Sequence, residues 1–298
     1  MVIIAISAMA TSSYGKWVWN KETGWMDSPS TAANTPEQHY KYAMSLLVEQ
    51  KYVSAVKEFK SIIASNPSSE YAELSQMNIG WAYFLNGDYK KAFNAYEDTL
   101  KKFSGTKRTK EILEREYQVG IAQMDTDEEA AIKVFEKIIE KHHLGPVAPE
   151  AQVKIADCYF RLEEYEEALS AYEKFLENYP KNEWVPYVQY QIPLTKVYHE
   201  KQQERNYGLL TSAREGFEEY LVSNPHGIHV DDARRMIEEI RVIEADREFN
   251  IGEFYLRRKK PSAAAMYFEN VKTDYPGTIW ADKANERIEF LRMIEAIK

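Results

Sequence analysis

The chain has 298 residues, of which 44% are hydrophobic and 29% charged, enough for one large domain or two ordinary ones. Its 47 acidic and 38 basic side chains give a net charge of −9, and this field argues against nucleic acid as a partner. Only 12 Gly and 11 Pro favour an all-α fold. The single cysteine, Cys158, excludes an intramolecular disulfide, and its place in an amphipathic stretch predicts a buried thiol.

Residues 1–14 are similar to a secretory signal peptide. The run "MVIIAISAMA" is apolar, and Ala8 and Ala10 are small residues at the positions that a signal peptidase reads, although a basic segment before them is missing. The run is too short to cross a bilayer, which takes about 20 residues. We therefore expect export to the periplasm, with a folded N-terminal helix as the alternative.

Residues 15–35 form a tryptophan-rich extension and a linker. Trp17 and Trp19 alternate as in an extended strand, the five-residue stretch "NKETG" is a plausible turn, and Trp25 follows it. This pattern predicts a small β-hairpin. Aromatic residues outside the repeats can fasten the N-terminus to the helical body or bind a ligand, and fastening is the commoner outcome.

A helical pattern recurs along the remainder of the chain. An alanine is followed four residues later, on the same helix face, by an aromatic residue, and in four copies a proline ends the helix. A second amphipathic helix precedes each of the six copies. In five of them this helix contains a small residue, and in the fifth copy it does not. The alanines are Ala55, Ala92, Ala131, Ala168, Ala213 and Ala264; the aromatic residues are Phe59, Tyr96, Phe135, Tyr172, Phe217 and Phe268; the small residues are Ala43, Gly80, Gly120, Ala156 and Gly252.

This pattern resembles the tetratricopeptide repeat, a helix pair with small and aromatic positions at a period of about 34 residues. The resemblance implies an all-α, right-handed superhelix of about six helix pairs over residues 36–298. We divide it into N-terminal repeats 36–183 and C-terminal repeats 184–298. No helix breaker interrupts residues 229–259, which predicts one helix roughly 45 Å long that joins the last two repeats.

The C-terminal part is also similar to the BamD (YfiO) family of outer-membrane assembly lipoproteins. The matching residues are Glu248, Ile251, Gly252, Phe254, Tyr255, Arg257, Arg258, Ala263, Ala264, Tyr267, Tyr275, Pro276 and Thr278. The resemblance implies a periplasmic, outer-membrane-associated scaffold that binds unfolded outer-membrane β-barrel proteins and docks onto the barrel-forming assembly subunit. The family's lipidated cysteine has no counterpart here, since Cys158 is internal, so this N-terminus predicts only peripheral membrane association.

No sequence motif indicates catalysis, a cofactor or a metal site. A glycine-rich phosphate loop and an H-E-x-x-H motif are missing, and no Ser/His/Asp spacing stands out, so we expect a non-enzymatic protein. His142 and His143 are adjacent, which suits a turn better than a shared ion, and His226 and His229 fit a plain loop better than a chelate.

The superhelix predicts binding on its inner face, which the first helix of each pair supplies. Methionine and aromatic side chains there suit the capture of apolar peptide ends, although packing between repeats explains them equally well. The predicted peptide-binding residues are Tyr40, Met44, Leu47, Met77, Trp81, Phe84, Tyr117, Phe160 and Arg161.

For partner docking the sequence indicates Tyr255, Arg257 and Arg258, although basic residues at a helix end are more often electrostatic complements of its dipole. Two alternative functions remain open. One is a periplasmic tetratricopeptide adaptor of cell-envelope maintenance, of the Tol-Pal coordinator type. The other is an enzyme or regulator that carries the repeats as an appendage, for which the sequence shows no second domain.

Overall fold

The structure is a computed structural model that describes residues 35–203 and 208–294, together with the backbone of residues 17–20 and 24–27. The signal-like segment 1–14 and most of the linker lie outside these residues. Two compact units are present, residues 1–151 and residues 152–298.

The predicted hairpin is confirmed. Strand β1 (Trp17–Asn20) pairs antiparallel with β2 (Gly24–Asp27), and Trp19 stands opposite Trp25. The strands extend through Asn20 and Gly24, which pair with each other, so the connection is shorter than the five-residue turn predicted. The role predicted for the tryptophan side chains lies outside what the structure describes.

Thirteen helices occupy the described residues 35–203 and 208–294, and the first twelve form six successive pairs, as the repeat pattern predicts. They are α1 (Pro36–Val48), α2 (Tyr52–Ser65), α3 (Glu70–Leu85), α4 (Tyr89–Lys102), α5 (Thr109–Met124), α6 (Glu128–His142), α7 (Ala148–Arg161), α8 (Tyr165–Asn178), α9 (Val185–Gln203), α10 (Gly208–Ser223), α11 (Val230–Arg257), α12 (Pro261–Asp274) and α13 (Ile279–Met293). The two helices of each pair pack against each other, and α13 packs on the last pair.

The contact between a small residue and an aromatic ring explains why the pairs close. All six repeated alanines and all six following aromatic side chains are buried. A Cβ atom added to Gly120 would lie 2.4 Å from a ring carbon of Phe135, and one added to Gly252 would lie 2.6 Å from Phe268. The ring therefore occupies the space that a larger side chain would need, as predicted.

The turn inside a pair has a fixed geometry in several repeats. Gln50, Gly87, Glu163 and Lys259 have φ between 58° and 78°, the left-handed conformation that ends a helix. Each of them precedes the repeated alanine of its pair by five residues. The turn therefore sets the register in which the second helix packs against the first.

The fifth pair solves the same packing problem differently. Its first helix, α9, lacks a small residue and contains Pro193 in its interior. In this pair the small residue is on the second helix. A Cβ atom added to Gly216 on α10 would lie 3.1 Å from the Pro193 Cβ atom, so the glycine allows the two helices to approach closely. This exchange explains why the small-residue pattern of the sequence fails in this pair.

The long helix predicted near the C-terminus is confirmed as α11, whose 28 residues span about 42 Å. Ala233 and Ile237 join the core of the fifth pair, while Ala245 and Phe249 join the core of the sixth. None of the helices that the structure describes is both long enough and apolar enough to cross a membrane.

Gly120→Leu should lower the free energy of unfolding by about 1–3 kcal/mol, because the new side chain overlaps the buried Phe135 ring. Urea unfolding of the full chain measures this loss. Gly105→Leu is the matched control, since no atom of the described residues lies within 4 Å of a Cβ atom at that loop position. An equal effect of the two substitutions would contradict the packing account.

Candidate peptide-binding site

The first helices of the N-terminal pairs are linked side by side in the first compact unit. Asn78 on α3 donates a hydrogen bond of 2.7 Å to the Tyr40 hydroxyl on α1. The Tyr40 ring packs 5.8 Å from the centroid of Phe59, and burial raises the pKa of the Tyr40 hydroxyl. Tyr40 thus joins two repeats and also contributes to the core, with its side chain half-buried.

Half-buried aromatic side chains form a continuous surface on α3 and α4, which we call the aromatic patch: Trp81, Phe84 and Tyr89. Trp81 and Phe84 stack with ring centroids 5.2 Å apart and an interplanar angle of 10°. Tyr89 continues the row, 5.6 Å from Phe84. Each ring leaves part of its surface accessible, so the patch offers an apolar area to a ligand.

Arg115 brings a positive charge from α5 to the aromatic patch. Its guanidinium carbon lies 5.3 Å from the Trp81 ring centroid, in cation–π geometry. The same group donates a hydrogen bond of 3.0 Å to Glu111, one helical turn earlier. An ion pair of this kind on a helix surface contributes only about 0.3–0.5 kcal/mol, so a ligand carboxylate can replace Glu111 at low cost.

Other predicted binding residues of this unit are part of the core. Leu47, Met77 and Tyr117 are buried, and the Tyr117 ring packs 5.6 Å from Phe135 within the third pair. Met44 is half-buried against the core of the first pair. For these residues the structure favours packing, the second of the two explanations that the sequence left open.

The remaining two predicted residues lie in the second compact unit. Phe160 contacts Tyr165 and Tyr198 edge-on, with centroids 5.6 and 5.3 Å away. Arg161 ends α7 and is exposed. The structure therefore brings Trp81 and Phe84 together as predicted but groups Phe160 with a separate aromatic cluster.

The predicted docking residues lie at the C-terminal end of α11. Arg257 occupies the last turn and Arg258 the C-cap, both exposed, so the basic run does sit at a helix end. The Arg258 guanidinium carbon lies 5.3 Å from the ring of Phe254, whose side chain is 45% exposed. Tyr255 stacks on Tyr267 at 5.4 Å and is half-buried between α11 and α12.

Sequence reasoning missed Arg115 and a polar cluster beside it, which consists of Glu97 on α4, Glu116 on α5 and His142 on α6. Oxygen and nitrogen atoms of Glu97, Glu116 and His142 lie within 4.8 Å of one another. Burial raises the pKa of Glu116 to about 8, while burial and the charge of Lys141 lower the pKa of His142. Nothing in "EILEREYQ" separates Arg115 and Glu116 from ordinary surface charges of a helix, and the adjacent His142 and His143 indicated only a turn, so only the fold reveals the cluster.

The comparison with protein families gives a match over most of the chain. The model of the family described as "YfiO: Outer membrane lipoprotein" matches residues 32–130 and 113–291. Both compact units thus carry the family's pattern.

Two curated relatives are outer membrane protein assembly factors BamD. The protein of Rickettsia prowazekii is 27% identical over 179 residues, which are 58% of this chain and 69% of that protein. The protein of Xylella fastidiosa (strain Temecula1) is 26% identical over 152 residues, so the match spans 48% of this chain and about half of the relative, 52%.

Among solved structures, the C-terminal part of a tetratricopeptide-repeat protein from Cytophaga hutchinsonii is similar to this chain. Its sequence identity is 16% and its TM-score is 0.44, over 84% of this chain and 88% of that one.

Met77→Ala should lower the free energy of unfolding by about 2–4 kcal/mol, because the Met77 side chain is only 4% exposed within the core of the second pair. Arg161→Ala, at an exposed predicted position, should change it by less than about 1 kcal/mol. Chemical denaturation of both variants checks the division between core and surface, and similar losses would contradict it.

Proposed function

Because the chain belongs to the YfiO outer membrane lipoprotein family, we propose that it is a non-enzymatic scaffold of outer-membrane β-barrel protein assembly. Its place of action is the periplasmic face of the outer membrane, with peripheral association. The family match over both compact units supports this role. The relatives named BamD from Rickettsia and Xylella support the same role.

The observation that carries the binding proposal is the aromatic patch with Arg115. Trp81 and Phe84 present a stacked, half-buried apolar surface, and a cation lies directly beside it. An unfolded β-barrel segment alternates apolar and polar side chains, so every second residue can pack on such a surface. The repeats 36–183 therefore receive the unfolded substrate.

Arg115 gives the patch a preference for one end of a peptide. A segment that ends in an aromatic residue places its terminal carboxylate close to the ring that packs on Trp81. The Arg115 guanidinium can then release its hydrogen bond to Glu111 and donate to the peptide carboxylate instead. Charge-assisted hydrogen bonds of this type are stronger than neutral ones. The ligand class is thus an extended peptide with an aromatic C-terminal residue.

The repeats 184–298 dock onto the barrel-forming subunit in this proposal. The exposed Arg257 and Arg258 and the exposed face of Phe254 supply charge and apolar area at the end of α11. Tyr255 contributes indirectly, since its stacking on Tyr267 holds the helix end in place. An acidic surface with an apolar centre is the complementary partner surface.

Trp81→Ala should weaken binding of a labelled peptide with a C-terminal aromatic residue by about 1–3 kcal/mol, in the range of an interface anchor. Fluorescence anisotropy with the full chain measures the affinity. Phe290→Ala is the control, because Phe290 is 48% exposed on α13 and lies outside the aromatic patch. An equal loss with both variants, or no loss with Trp81→Ala, would remove the patch from the site.

The same measurement with an amidated peptide tests Arg115 separately. Wild-type protein should bind the free carboxylate more tightly than the amide, and Arg115→Gln should remove that preference while keeping the aromatic contribution. If Arg115→Gln keeps the full preference, the carboxylate binds elsewhere.

Replacing Arg257 and Arg258 by Glu should weaken capture of the barrel-forming subunit from a membrane extract, most strongly at low salt, where charge complementarity is least screened. The matched control reverses Arg234 and Arg235, exposed residues of the first half of the same helix that pair with Asp231 and Asp232. Equal effects of both reversals would indicate a general charge effect and contradict docking at the helix end.

A further inference from the structure

A buried polar position recurs in the first four helix pairs. It stands four residues before the small residue of the first helix, on the same helix face and one turn away. The side chains at this position are His39, Gln76, Glu116 and Gln152, and all four are buried. A buried polar group requires a hydrogen-bonding or charged partner, so each repeat must supply one.

In the second and fourth pairs the partner stands 26 residues later, at the end of the second helix. Lys102 donates a hydrogen bond of 3.1 Å to the Gln76 side-chain oxygen. Asn178 donates one of the same length to Gln152. In the first pair His39 meets Glu58 at 2.8 Å instead. A donor or an acceptor thus satisfies the buried group in each of these three pairs.

The third pair breaks this rule. Its buried residue is Glu116, whose two carboxylate oxygens have no hydrogen-bond partner among the described residues. The residue 26 positions later is His142, the last residue of α6. Glu97 approaches from α4, and the ligand atoms of Glu97, Glu116 and His142 lie within 4.8 Å of one another. Two carboxylates and an imidazole therefore converge where the other pairs hold a complete hydrogen bond.

We propose that Glu97, Glu116 and His142 form a binding site for one divalent transition-metal ion, for which zinc is the best fit. Imidazole nitrogen and carboxylate oxygen are both zinc ligands, and the charge of the ion balances two carboxylates. Bond lengths of about 2.0–2.2 Å place tetrahedral ligand atoms about 3.3 Å apart. Small rotations of the three side chains bring their ligand atoms to that spacing. A water molecule is the fourth ligand, on the side where Glu97 and His142 are partly exposed to solvent.

When no metal ion is bound, Lys141 supplies positive charge to the site. Its ammonium forms an ion pair with Glu97 and supplies the positive charge that this carboxylate needs. The Lys141 side chain is nearly half exposed, so it can move into solvent when a metal binds, at the low cost typical of surface ion pairs. Metal binding then joins α4, α5 and α6 and stabilises the third pair.

Titration of the full chain with zinc chloride tests this site, after chelator treatment and removal of the chelator. Calorimetry should show one ion per chain, and zinc should raise the midpoint of thermal unfolding. Glu116→Gln and His142→Ala should each weaken zinc binding at least about 10-fold, since loss of even an outer-shell partner costs ~10–100-fold. Cobalt(II) should give a visible absorption band that both variants lose.

His143→Ala is the matched control, because His143 is the exposed neighbour of His142 and stands outside the cluster. It should bind zinc as tightly as the wild-type chain. Absence of binding by the wild-type chain, or equal binding by the control and both site variants, would overturn the proposal. Should a site variant fail to fold, Glu97→Gln replaces it in the test. Glu97 is only half-buried, so this substitution disturbs the core less, and it should weaken zinc binding in the same way.

Discussion

The structure depends on the contact between a residue without a large side chain and an aromatic ring on the next helix. At Gly80, Gly120 and Gly252 the ring lies where a Cβ atom would have to stand, so no larger residue fits without moving a buried aromatic group. Each such contact closes one helix pair, and in four of the six pairs a left-handed residue five positions before the repeated alanine fixes the register. Within the first compact unit, where pairs close in this way, the first helices α1, α3 and α5 contact one another in sequence and can share a surface.

That shared surface carries the proposed function. The Asn78–Tyr40 hydrogen bond joins α1 to α3, and the contact of Arg115 with Trp81 joins α3 to α5. The same contacts that hold neighbouring repeats together therefore leave aromatic faces and a guanidinium accessible along one row. These contacts are already made without a peptide, and a surface that is ordered beforehand lowers the entropy cost of binding.

The repeat frame was predictable from the sequence, because an aromatic residue follows each repeated alanine by four positions and, in five of the six pairs, a small residue precedes that alanine by 11 or 12. The pairing of helices, the hairpin and the long helix α11 follow from such local patterns and are confirmed. The surface was less predictable. Periodicity shows which helix face a residue occupies, but it does not show how far the surrounding helices cover that face, and on the same helix Met77 is buried while Trp81 is half-buried. Arg115 and Glu116 required the fold, since their neighbours come from other helices.

The central claim is that an unfolded outer-membrane protein contacts the aromatic patch during assembly. A photo-crosslinking amino acid placed at position 81, in cells that synthesise a β-barrel protein, tests this contact directly. The account predicts crosslinks to the unfolded β-barrel protein from position 81 and none from position 290 on α13. Crosslinks from position 290 alone, or from neither position, would contradict the claim.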